Sequence, residues 1–134
     1  MILCSNPKAQ YLTHKDEIDF TVRRVLSEGQ FVLGKNVREF EKEFSEYIGS
    51  RHSVSVGNGT DALCLVMRAM GLGPGDEVIT PSHTATATIA AITMAGAIPV
   101  FADVEPGHYT LDPLSVSQAI TSKTKGIIVV HLYG

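Results

Sequence analysis

From residue 53 onward the chain alternates short β-branched runs with longer helical ones, and that alternation narrows the available folds more than any other feature. Strand patterns cover residues 53–56, 77–80, 98–102 and 126–131, and helical patterns fill the gaps at 60–70, 84–95 and 113–121. Strands separated by helices of this length cannot be hairpins; they predict βαβ units with right-handed crossovers. The expected class is α/β, a mixed but mostly parallel sheet with flanking helices. Asp112-Pro113 supplies a cap and a first-turn proline for the last helix. No internal repeat and no low-complexity linker interrupts the pattern.

Two helices precede this series. Residues 14–28 place Ile18, Val22, Val25 and Leu26 at helical spacing, and Gly29 stops the run. After a loop at 30–35, Asn36 with Glu39 three positions on reads as a capping box with Asn in place of Ser or Thr. The helix it opens is expected to bury Val37, Phe40, Phe44, Tyr47 and Ile48 and to end at Gly49.

Composition enters as a set of exclusions. With 44% hydrophobic and 19% charged residues over 134 positions, the chain has the balance of a globular domain. A net charge of -3 provides no basic stripe for a phosphate backbone, so nucleic acid is not an expected partner. No basic and then apolar leader opens the sequence, and residues 85–100 are too short and too interrupted to cross a bilayer. Cys4 and Cys64 form no disulfide framework; a reducing cytoplasm is the expected setting, with Cys64 an inert core residue.

The chemistry concentrates at Val56-Gly57-Asn58-Gly59-Thr60-Asp61, between the first strand pattern and a helix. Two glycines let the backbone turn tightly and come close to a ligand. The helix start offers unpaired N–H groups and a positive dipole end to a phosphate, and Thr60 adds a hydroxyl. The same residues also suit an ordinary strand-to-helix turn capped by Thr60 or Asp61. Gly57, Gly59 and Ala62 match the dinucleotide fingerprint, but that pattern wants an acidic residue at the end of the next strand. Asp76 and Glu77 stand at its start instead. A Walker-type loop is excluded, because no Gly-Lys-Ser/Thr follows the glycines.

Six segments in order carry a family resemblance: Gly29-Gln30-Phe31-Val32-Leu33-Gly34, Phe40-Glu41-Lys42-Glu43-Phe44, Gly59-Thr60-Asp61-Ala62-Leu63, Gly73-Pro74-Gly75-Asp76-Glu77-Val78-Ile79, Gly96-Ala97-Ile98-Pro99-Val100-Phe101 and Val130-His131-Leu132-Tyr133-Gly134. Through them the chain resembles the DegT/DnrJ-type aminotransferases, which use pyridoxal 5'-phosphate to aminate nucleotide-linked keto sugars. The resemblance implies that residues 1–134 are the N-terminal part of a large cofactor-binding domain of the aspartate-aminotransferase-like fold. Residues 14–49 would be its leading helices and 53–134 its βα units, with the rest of that domain and a C-terminal domain absent. An abrupt stop at Gly134, just after an apolar strand, fits the same expectation of truncation.

By resemblance, Gly59, Thr60 and Asp61 hold the cofactor phosphate through backbone N–H groups and the Thr hydroxyl. Family members also stack an aromatic ring on the cofactor. The corresponding position here is Ala85, which has no ring, and His83 is the nearest substitute; it also suits an ordinary loop. Loop 30–35 resembles the stretch that lies near substrate, or is a plain connector between helices. Transamination needs a lysine amine and a carboxylate against the pyridine nitrogen, and the family carries both beyond the His-Leu-Tyr-Gly segment. None of Lys8, Lys15, Lys35, Lys42, Lys123 and Lys125 matches the catalytic position. No catalytic residue is therefore expected in this chain, which alone should be inactive. The complete protein is expected to be a homodimer that takes its amino group from an amino acid such as glutamate.

Two other readings stay open: a sugar dehydratase of the same family, with histidine in place of the lysine, and a non-catalytic phosphate-binding module. His131, at a strand end, reads as a hydrogen-bonded core histidine or as a residue at the ligand edge of the sheet. Asp103, also at a strand end, reads as a turn residue. His14, His52 and His108 lack ligand spacing, so no metal site is expected.

Overall fold

The computed structural model describes residues 5–134. Cys4 lies outside the described residues. The chain forms two compact units, Met1–Ser55 and Val56–Gly134.

The first unit is helical. Helix α1 runs Pro7–Thr13, α2 runs Lys15–Glu28 and α3 runs Lys35–Ile48. Sequence patterning missed α1, whose start is set by a local device: the Asn6 side chain accepts a hydrogen bond from the Ala9 N–H ahead of Pro7. Gly29 and Gly49 end α2 and α3 at φ 69° and 77°, the left-handed region where glycine is unstrained. The expected Asn36 capping box does not form. Gly34 caps α3 without a side-chain bond, and Asn36 accepts from the Arg24 guanidinium at 3.0 Å. The apolar face of α3 is present, but it is not buried. Phe40, Phe44, Tyr47 and Ile48 stay 44–86% exposed, because none of the described residues of this unit covers them.

The second unit holds α4 (Gly59–Ala69), β1 (Glu77–Pro81), α5 (Thr86–Met94), β2 (Ile98–Ala102), α6 (Pro113–Ala119) and β3 (Thr124–Ile127). Its sheet has the order β2-β1-β3 with both pairings parallel, which is the expected α/β class. Val78 on the central strand packs with Cys64 and Met67 of α4, with Ala91 and Ile92 of α5, and with Ala95 and Ala97. Cys64 is 5% exposed, as expected of a core residue. Near Val78 the β3 register shifts by one position, where Gly126 rather than a bulkier residue pairs with it.

Two strand expectations need correction. Residues 53–56 form no strand: among the described residues none pairs with them, and the Ser55 N–H donates to the Glu41 carboxylate at 2.7 Å. The last strand lies earlier than the 126–131 pattern. Pairing continues one residue past β3, where the Ile128 N–H donates to the Ile79 carbonyl at 2.8 Å; β1 then ends at Pro81 and leaves nothing for His131 to pair with.

Candidate functional site

The turn Gly71–Asp76 returns the chain from the end of α4 to the start of β1, so α4 points its N-terminus toward the carboxyl ends of the strands. That edge is where ligands bind in open parallel sheets. The cap of α4 is Asn58, not Thr60 or Asp61. Its Oδ1 accepts the Asp61 N–H at 2.9 Å, and its Nδ2 donates to Asp61 Oδ2 at 3.0 Å. A first-turn carboxylate suits the positive end of the helix dipole, and here it is drawn back toward Gly57. A methyl group on Gly57 would lie 2.9 Å from that same oxygen, so a larger residue there would push the Asp61 carboxylate aside.

The cap leaves two donors free. Among the described residues no acceptor takes the Gly59 or Thr60 N–H, and the Thr60 hydroxyl has no partner. Gly59 faces open space on its side-chain side. Two unpaired N–H groups, a hydroxyl and a helix dipole at an accessible helix start fit a phosphate. Beside them, in a shallow pocket of about 260 Å³, lie Val56, Gly57, Asp61, Cys64, Leu65, Arg68 and Met94.

A second group gathers rings at the same sheet edge. His83 is exposed in the loop after β1, and its ring centroid lies 5.6 Å from Tyr133 and 6.2 Å from Tyr109. Ala85 caps α5, exposed and with extended backbone, and offers only a methyl group. The helix-start group and the ring group share no hydrogen bond among the described residues. Sequence reasoning missed Asn58, Tyr109 and Tyr133. Two signals pointed at them: an Asn three residues ahead of Asp61, and aromatic residues in the loops that follow strands, at the ligand edge of a parallel sheet.

His131 is exposed, which corrects the core-histidine reading. Asp103 lies just past β2 and ahead of the turn at 106–108, beside the antiparallel Val104–Leu111 bridge, which corrects the turn-residue reading; its carboxylate accepts the Val104 N–H at 2.9 Å and its carbonyl the Asp112 N–H. No group of three or more His, Cys, Asp or Glu side chains gathers to hold a metal among the described residues. No described helix is long and apolar enough to cross a membrane. All six lysines are exposed, and Lys15, Lys35 and Lys42 pair with carboxylates one helical turn away, at Asp19, Glu39 and Glu46.

The sequence pattern of the DegT/DnrJ/EryC1/StrS aminotransferase family matches residues 13–134. The chain belongs to that family. A UDP-2-acetamido-2-deoxy-3-oxo-D-glucuronate aminotransferase of Pseudomonas aeruginosa is 47% identical over 127 residues, 95% of this chain and 35% of that protein. Among solved structures, Streptomyces venezuelae DesV in complex with a ketimine intermediate superposes with a TM-score of 0.91 at 46% identity, covering 96% of this chain and 35% of that one. Bacillus subtilis NtdA with bound cofactor PMP gives a TM-score of 0.86 at 38% identity, covering 91% of this chain and 28% of that one. The chain thus spans about a third of the length of these family members.

Proposed function

We propose that the complete protein carrying this chain transfers an amino group from an amino acid, glutamate in the simplest case, to a nucleotide-linked keto sugar. It does so with pyridoxal 5'-phosphate, as a cytoplasmic homodimer. The observation that carries the reading is the unpaired donor set of Gly59 and Thr60 at the start of α4, open to a phosphate at the ligand edge of a parallel sheet. Family membership and a relative named for acting on a UDP-linked keto sugar support the substrate class.

In this reading the Gly59 and Thr60 N–H groups and the Thr60 hydroxyl hold the phosphate. The Asp61 N–H joins them where the Asn58 side chain gives way. His83 supplies the stacking ring that Ala85 lacks. When bound, the cofactor supplies an electron-accepting pyridine ring beside the carbon that loses its proton. In this reading the lysine and the carboxylate that complete the chemistry belong to the rest of the protein, and the 134-residue chain alone is inactive.

Thr60→Ala in the complete protein tests the phosphate role. A hydrogen bond to a charged group contributes about 1.5–3 kcal/mol, so pyridoxal phosphate affinity should fall roughly tenfold to a hundredfold by absorbance titration. Unchanged affinity would remove Thr60 from the site. A protein that forms no amino sugar from any nucleotide-linked keto sugar and glutamate would remove the proposed reaction.

A further inference from the structure

Three side chains from three separate loops meet at the carboxyl edge of the sheet. His83 follows β1, Tyr109 follows β2 and Tyr133 follows β3. Tyr133 Oη lies 3.0 Å from His83 Nε2, the one side-chain hydrogen bond of that imidazole among the described residues. The Tyr133 ring is itself braced: Tyr109 meets it edge-on, with centroids 6.0 Å apart and planes at 77°, a favoured aromatic geometry. Tyr109 is held there at φ 59°, in the left-handed region, by a turn in which its N–H donates to the Glu105 carbonyl at 3.0 Å. A bulky residue adopts that conformation only where its surroundings fix it.

An exposed histidine rotates freely about its last side-chain bond, because that torsion is broad. Stacking on a flat ligand requires one ring plane, and an unrestrained ring gives up rotational freedom to reach it. A hydrogen bond from one ring nitrogen to a braced phenol removes that freedom in advance. We propose that Tyr133 is a positioning residue for the cofactor site. Its hydroxyl fixes the plane of the His83 imidazole, with Tyr109 as the brace, so that the imidazole meets the cofactor ring already oriented. This inference rests on the reading that His83 is the stacking ring.

Tyr133→Phe separates positioning from packing, because it keeps the ring against Tyr109 and removes only the hydroxyl. In the complete protein, side-chain 15N resonances of the cofactor-free form report on His83, and titration with pyridoxamine phosphate reports affinity. Tyr133→Phe should move the His83 Nε2 resonance and weaken binding roughly threefold to tenfold, the size of one net hydrogen bond. In a His83→Ala background the same change should cost nothing further, since the two act as one unit. If His83→Ala weakens binding while Tyr133→Phe alters neither resonance nor affinity, or costs the same in both backgrounds, the positioning role is overturned and the stacking reading stands. If Tyr133→Phe moves the resonance but His83→Ala leaves affinity unchanged, the stacking reading fails, and the positioning role with it.

Discussion

Asn58 and Asp61 hold each other through two hydrogen bonds across the first turn of α4, backbone N–H to Oδ1 at 2.9 Å and Nδ2 to Oδ2 at 3.0 Å. Replacing an N-cap Asn by Ala typically destabilises by about 1 kcal/mol. Asn58→Ala should lower the urea midpoint accordingly. An unchanged midpoint would mean that the cap is not formed in solution.

Thr80 sits at the centre of the sheet, 0% exposed, and its hydroxyl has no hydrogen-bond partner among the described residues. A buried polar group left unsatisfied costs about 1–3 kcal/mol. Thr80→Val keeps the shape and removes the hydroxyl, so thermal unfolding should shift upward. A loss of stability would show that the hydroxyl is satisfied in the folded protein.

Glu105 holds its own turn. Its carboxylate accepts the Gly107 N–H at 2.8 Å and the His108 N–H, and it pairs with the His108 ring at 2.7 Å. The Gly107 bond foremost, and His108 with it, hold its pKa below the usual glutamate value against a smaller opposing effect of desolvation. A carboxyl whose pKa is lowered on folding stabilises the fold above its unfolded value and stops doing so as pH falls through the folded one. The turn should therefore be intact at neutral pH and loosen only in acid, below the ordinary glutamate range. Amide shifts of Gly107 and His108 followed against pH check this. A midpoint at or above the ordinary value would contradict it.

The lysines give a further expectation. Treating the purified 134-residue chain with pyridoxal phosphate and then borohydride should leave no single stoichiometric adduct on any of its six exposed lysines. One dominant modified lysine by mass spectrometry would place the catalytic amine within this chain.

The fold was legible in the sequence wherever local chemistry decides the outcome. Gly29 and Gly49 end their helices because they take φ values that other residues resist, and Asp112-Pro113 starts α6 as it reads, the Asp112 side chain accepting the Leu114 N–H. Legibility failed where a distant partner decides. Residues 53–56 have a strand composition, yet a strand needs a neighbour, and Glu41 takes the Ser55 donor first. The α3 face has helical spacing, yet burial depends on what lies against it. At the candidate site, Thr60 stands out in the sequence from the glycines beside it. Tyr133 could not be tied to His83, because only the parallel order of the strands brings residues 50 positions apart to one edge.

That strand order also sets a sequence of events during synthesis. Of the three described strands, the first to leave the ribosome is the middle one, and β2 joins it after a single helix, while β3 follows only once α6 has emerged. Contacts close in sequence form first, so Val78 can gather Cys64, Ala91 and Ile92 while one side of β1 is still bare. A nascent chain at that stage presents an open strand to its neighbours. It also carries His83 and Tyr109 some time before the residue that links to both has been translated.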